Sequence, residues 1–201
     1  VLMTSVSMLK NGKNPQKMMK YILSSSKQIS QIYNDIHFSA FNELNEDVFE
    51  EFNLKNLVAE SVEFFNDISI TKNIGINSNL DDCFIKMDRT KTQKLINNLI
   101  SNALKYSNPN GTIEIQLKHT QHQIQCVIID NGIGISNADL DKIFTSFYRS
   151  DITNHDKIKG TGLGLSIVKR LCDLLKVEIS VTSELNLGTA FNLSFPLAKL
   201  K

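Results

Sequence analysis

The sequence predicts an α/β fold: a two-layer sandwich of one sheet and its covering helices, preceded by a helical hairpin with a very short first arm. Three observations carry this. Val177-Glu178-Ile179-Ser180-Val181 and Phe191-Asn192-Leu193-Ser194-Phe195 alternate strictly, as half-buried strands do. Ile113–Leu117 and Ile124–Ile129 flank Thr120-Gln121-His122 as a strand hairpin. Between such strands lie stripes with helical spacing, among them Leu163, Ile167, Leu171 and Leu174. A sheet with one face covered by helices is a two-layer architecture.

Taken from the N-terminus, residues 1–10 read as a helix with Val6 and Leu9 apolar, and Asn11-Gly12-Lys13-Asn14-Pro15 breaks it. A second helix is expected from about Gln16 to Asn42, striped by Met18, Met19, Ile22, Ile29, Ile32, Tyr33 and Ile36. Such a stripe needs a partner, and the expected one is its copy in a second chain. Residues 43–51 read as an acidic, solvated linker, so the main domain is set at 52–201. Asn53 is the expected cap of a helix to about Phe65. Ile74, Ile76 and Ser78 alternate as a strand, and Cys83–Met87 forms another. Asp88 should cap a helix to Ser107, a short helix covers about Asp139–Phe147, a polar loop follows, and a helix starts near Gly162.

Bulk properties exclude several classes. A chain of 201 residues holds one sizeable domain plus a smaller element. Its net charge of +1 supplies no basic field, so nucleic acid is not a partner on this reading. Cys83, Cys126 and Cys172 form no CxxC pair; they read as small apolar core residues in a reduced, cytoplasmic setting. No apolar run approaches the ~18 residues a membrane span needs.

Four motifs carry chemistry. On the Asp88–Ser107 helix, Ile96, Leu99, Ile100, Ala103 and Leu104 form the apolar side. Asn98, Asn102, Lys105 and Tyr106 share another face, extended by Lys91 and Lys94, with Leu95 its apolar exception. Asparagine is a poor helix former, so two at i, i+4 need a reason. Oxygen ligation of Mg²⁺ is one, and a solvated face in an Asn-rich chain is another. Asp130 ends a strand on the inward parity of Cys126 and Ile128, before Asn131-Gly132-Ile133-Gly134. An inward carboxylate needs a donor; the exocyclic amine of adenine is suitable, and so are local N–H groups of a tight turn.

Phe144, Phe147 and Tyr148 precede Arg149 and a polar stretch, Ser150–Lys159. The phenyl rings serve as anchors of a lid or of the core, and the Arg149 fork suits a terminal phosphate. Gly160-Thr161-Gly162-Leu163-Gly164 runs into a helix and offers backbone N–H groups to an anion, although a flexible loop has the same composition. It has neither Walker nor Rossmann spacing.

Together and in this order, the four stretches resemble the N box, G1 box, F box and G2 box of the ATP-binding catalytic domain of sensor histidine kinases. Asn186-Leu187-Gly188-Thr189-Ala190-Phe191 is similar to that family's closing turn, and the resemblance covers about Phe52–Pro196. It implies the Bergerat α/β sandwich with ATP and Mg²⁺. Asn102 is then the main metal ligand with Asn98 nearby, and Lys105 and Arg149 contact phosphates. Tyr106 packs beside the nucleotide and Asp130 reads adenine. Gly132, Gly134, Phe147, Gly160, Thr161, Gly162, Leu163 and Gly164 shape the pocket and lid. The catalytic residues implied are Asn102, Lys105 and Arg149.

The family transfers the γ-phosphoryl group to a histidine in a His-Glu-x-Arg-x-Pro-like box, for relay to a response-regulator aspartate. None of His37, His119, His122 or His155 fits such a box. Residues 1–42 therefore read as a truncated dimerisation hairpin, and the chain as a fragment unable to phosphorylate itself, from a parent anchored in the inner membrane. Leu175-Lys176-Val177 departs from a glycine pair common among relatives. A GHKL-type ATPase, an anti-sigma serine kinase and an interaction module without transfer activity are the alternatives. The first needs a transducer domain, the second lacks a long hairpin, and the third is disfavoured by the complete set of polar pocket residues.

Overall fold

The computed structural model describes residues 48–121, 123–150 and 160–197. The expected hairpin at 1–42, residues 43–47 of the expected linker, His122 and the loop 151–159 lie outside the described residues. The elements are β1 (Phe49–Asn53), α1 (Leu54–Lys72), β2 (Gly75–Leu80), β3 (Phe84–Asp88), α2 (Arg89–Tyr106), β4 (Thr112–His119), β5 (Gln123–Asp130), α3 (Asn137–Leu140), α4 (Gly164–Leu175), β6 (Glu178–Glu184) and β7 (Gly188–Pro196).

The predicted two-layer α/β fold is what forms. Five strands make one sheet in the order β2-β4-β5-β7-β6, with β2 parallel to β4 and the other pairs antiparallel. The inward positions of β4, β5 and β7 are Ile113, Ile115, Leu117, Ile124, Cys126, Ile128, Phe191, Leu193 and Phe195, all buried beneath the helices. Register stacks them in rows across the sheet, such as Ile115–Ile128–Phe191 and Leu117–Cys126–Leu193. All three cysteines are buried and unpaired, as expected.

Several boundaries differ from expectation. The acidic stretch before the domain is strand from Phe49, pairing antiparallel with β3 in a separate two-stranded sheet. Phe52 pairs across from Ile85 there; charge count along the chain does not reveal a long-range pairing. Helix α1 runs past Phe65 to Lys72 although Asn66, Asp67, Ser69 and Thr71 favour ending it. Ser69 and Thr71 bond back to the carbonyls of Asn66 and Asp67, and Asn73 then stops the helix in the left-handed region (φ 55°). The expected helix at 139–147 is only α3 followed by single turns, such as Thr145 N–H to Lys142 O at 2.9 Å. On α4, Leu174 is exposed, and the buried stripe is Ile167, Val168, Leu171, Cys172 and Leu175.

Helix α2 positions the site. Asp88 caps it, accepting from Lys91 N–H at 2.9 Å and from the Lys91 ammonium at 3.0 Å. Helices α1 and α4 both pack against it, so the face expected to be open is partly roofed. Leu95 is fully buried, and Lys91 and Asn98 are each only 7% exposed. Leu95 is therefore no exception but a core residue.

Candidate nucleotide site

The inward row at one end of the sheet is apolar only at Ile113 and polar in the three strands beyond it. Register places Ile113, Asp130, Thr189 and Ser183 side by side on β4, β5, β7 and β6. Asp130, 6% exposed, accepts from Gly132 N–H at 2.9 Å and from the backbone N–H of Thr189. Burial outweighs these two bonds and pushes its carboxyl up to about 6. Ser183 ties the row together. Its hydroxyl accepts from Ile135 N–H at 2.8 Å, lies 2.8 Å from Gly188 O and is 2.9 Å from Thr189 Oγ1.

The G1 turn closes over this end of the sheet. Ile133 N–H reaches Tyr106 O, at the end of α2, at 3.1 Å, and Asn186 N–H reaches Ile133 O at 2.8 Å. Gly134 has φ +68°, and a Cβ there would stand 2.0 Å from Glu184 O, so only glycine fits.

A cleft of about 730 Å³, counted out to its open mouth, lies above the row. Of the residues predicted to bind, Asn102, Tyr106, Asp130, Gly134 and Arg149 line it. Sequence reasoning did not name Ile133, Ile135, Ile143 and Leu165 as binding residues, nor Tyr148, Ser150, Thr189 and Phe191, which complete the lining. The signal for Thr189 was present in the closing turn and in its inward parity. The isoleucines carried no polar signature, and they lie in loops and turns that no period-two or helical pattern covers.

The remaining predicted residues lie around this lining rather than in it. Lys105 donates to the Tyr106 hydroxyl at 2.9 Å, and a Cβ on Gly160 would stand 2.1 Å from Lys105 Nζ. Asn98 commits its amide nitrogen to Lys94 O at 2.8 Å. Its Oδ1 faces Gly164, the first residue of α4, where a Cβ would stand 3.5 Å from it and 3.7 Å from Asn102 Oδ1. Leu163 precedes α4 with no side-chain cap, so the first N–H groups of a 12-residue helix are not satisfied by a side chain. Thr161 Oγ1 accepts from Leu163 N–H at 3.3 Å, and Leu163 itself is buried.

Phe147 departs from expectation. The residue is 72% exposed and is not part of the cleft lining, so it anchors neither core nor cleft. Its backbone has the anchoring role instead: Phe147 N–H donates to Gly162 O at 3.0 Å. Gly162, at φ +74°, approaches so closely that a Cβ would stand 2.7 Å from the Phe147 carbonyl carbon. The F-box and G2 turns are thus strapped together.

Known proteins match this picture. A family model described as "Histidine kinase-, DNA gyrase B-, and HSP90-like ATPase" matches residues 87–199. The autoinducer 2 sensor kinase/phosphatase LuxQ of Vibrio vulnificus is 40% identical over 124 residues, covering 59% of this chain and 14% of that protein. The heme sensor protein HssS of Staphylococcus saprophyticus is 31% identical over 167 residues, covering 83% of this chain and 34% of that protein. The chain thus spans about a third or less of these relatives. The solved catalytic domain of histidine kinase ThkA, nucleotide free, superposes with TM-score 0.65 at 28% identity, covering 74% of this chain and 95% of that domain. ThkA solved with the response regulator TrrA superposes with TM-score 0.70 at 23% identity, covering 98% of this chain and 57% of that one, and speaks to fold alone. With residues 87–199 matched and the cleft built from the same stretches, the chain belongs to the histidine kinase-, DNA gyrase B- and HSP90-like ATPase family, as a catalytic domain of the sensor histidine kinase kind.

Proposed function

We propose that this domain binds ATP with Mg²⁺ and donates the γ-phosphoryl group to a histidine, for relay to a response-regulator aspartate. One observation carries the reading: Asp130 and the N-box and F-box polar side chains Asn102, Tyr106 and Arg149 line one cleft. Asp130 accepts from the exocyclic amine of adenine, while Ile133, Ile135, Ile143 and Phe191 supply apolar walls for the base. Lys105 and Arg149 take the phosphates, and the uncapped start of α4 adds backbone donors.

The donor set fits Mg²⁺. Asn98 and Asn102 present two hard amide oxygens near Gly164. Among the described residues no group of three His, Cys, Asp or Glu side chains is placed to hold a metal by itself. An ion that keeps waters and phosphate oxygens suits such a sparse set. When bound it supplies charge neutralisation at the phosphate oxygens. In the transfer, the bond from the γ-phosphorus to the bridging oxygen breaks, a bond to an imidazole nitrogen forms, ADP leaves and the imidazole proton is released.

The partners in this reading are a response-regulator receiver domain, which takes the phosphoryl group onward from the histidine, and a second copy of the chain through residues 1–42. The domain works on the cytoplasmic side of a parent anchored in the inner membrane. Among the described residues no helix is long and apolar enough to cross a membrane. Because none of the four histidines lies in an acceptor box, these 201 residues do not phosphorylate themselves. Incubation with γ-labelled ATP and Mg²⁺ tests this: no stable label is expected, and acid-labile label on the chain would overturn it. A melting temperature that ATP leaves unchanged would overturn the nucleotide reading itself.

A further inference from the structure

Asp139 lies on α3 and is not among the residues lining the cleft, yet three hydroxyls converge on its carboxylate. Oδ1 accepts from the Tyr148 hydroxyl at 2.7 Å. Oδ2 accepts from Ser136 Oγ at 2.8 Å and from Ser150 Oγ at 2.5 Å. The Ser150, Tyr148 and Ser136 bonds, in that order, hold the carboxyl at about 2, so it stays ionised across the working pH range. Helix capping does not account for the cluster. Ser136 stands at the start of α3 but makes no side-chain cap bond, because its hydroxyl is turned to Asp139.

Two of the three donors flank Arg149, and Tyr148, Arg149 and Ser150 are consecutive residues of the cleft wall. The other side of this segment is fixed separately, by Phe147 N–H on Gly162 O. Arg149 is itself exposed, and ordering a long side chain on a ligand has an entropic cost. Holding the backbone on both sides of it lowers that cost. We propose that Asp139 is a positioning residue: through Tyr148 and Ser150 it sets the segment that aims Arg149 at the terminal phosphate of the nucleotide. Its two carboxylate oxygens are already taken up by the three hydroxyls, so it acts through Arg149 and not on the ligand.

This inference rests on the proposed nucleotide reading, and the test separates the two. Calorimetry compares ADP with a non-hydrolysable ATP analogue, both with Mg²⁺, on the whole chain and on Asp139→Ala, Arg149→Ala and the double variant. Asp139→Ala is expected to weaken the analogue roughly tenfold, the worth of about one charge-assisted hydrogen bond, and ADP less than about twofold. The double variant should bind no more weakly than Arg149→Ala alone, since the two changes remove one effect. Equal weakening of both nucleotides, additive losses, or an unchanged Asp139→Ala would overturn the inference while leaving nucleotide binding intact. Failure of the parent chain to bind either nucleotide would overturn both readings. If Asp139→Ala does not fold, Tyr148→Phe and Ser150→Ala each remove one hydroxyl donor. Each should then show a roughly threefold selective loss of the analogue, and none in either overturns the inference.

Discussion

Replacing Asp130 by Asn should make the empty domain more stable and the nucleotide bind more weakly. The carboxyl is 6% exposed and raised from 3.8 to about 6 by burial, against the pull of two backbone N–H bonds. Two pKa units correspond to about 3 kcal/mol favouring the protonated form in the fold. The folded state therefore holds more protons than the unfolded chain between pH 3.8 and about 6. The sign follows: this group's contribution to stability is fully present below pH 3.8, is lost as pH rises through about 6, and stays lost above it. Asparagine keeps the shape without the charge but gives up one acceptor, worth about 1 kcal/mol. The net gain at pH 8 is then roughly 2 kcal/mol, and it should vanish near pH 4. Urea denaturation at both pH values measures it. In the parent chain, binding that requires the ionised carboxylate should weaken about tenfold between pH 7.5 and pH 5, while Asp130→Asn binds weakly with a flatter profile. A variant less stable than the parent at pH 8, or equally shifted at both pH values, would refute the desolvation argument.

Three further outcomes are expected. Asn102→Ala should abolish the part of nucleotide affinity that depends on Mg²⁺, leaving the metal-free affinity within about threefold, as titrations with and without EDTA would show. Ser183→Ala removes the hydroxyl that joins Ile135, Gly188 and Thr189, and should cost about 2 kcal/mol by urea denaturation and weaken ADP several-fold; Ser183→Thr should restore part of both. Lys176 caps α4 in the left-handed region at φ 56°, so Lys176→Gly should stabilise the fold by about 1 kcal/mol, read as a rise in denaturation midpoint with unchanged slope.

The sheet was legible because period-two alternation survives in β4, β5, β6 and β7, and because their inward residues are the ones that register aligns. The same parity rule puts Asp130 inside, where the structure has it. Thr189 and Ser183 obey it too, but their row is completed only when the β6–β7 hairpin pairs with β5, whose Asp130 lies more than fifty residues before either of them. Leu95 read as an exception on a polar face because one helix cannot show what will pack over it. Strand β1 was hidden beneath its glutamates for the same reason, since its partner β3 arrives more than thirty residues later. The Asp139 cluster left no motif at all: hydroxyls spaced along a turn gain meaning only when the chain folds back on them. At Lys176 the sequence showed only a departure from a glycine pair, and the structure adds the reason it matters: the lysine sits in the left-handed region that ends α4.

The central claim is that Asp130, at the end of β5, reads an adenine base in the cleft. Calorimetric titration of the chain with ADP and with GDP, each with Mg²⁺ at pH 7.5, tests it most directly. The exocyclic amine of adenine gives the carboxylate a donor, whereas guanine presents an oxygen at the equivalent edge and leaves two acceptors facing each other. One saturable ADP site per chain is expected, with GDP at least tenfold weaker, since a buried unpaired acceptor costs about 1–3 kcal/mol. Equal affinity for the two nucleotides, or no binding of either, would contradict the account.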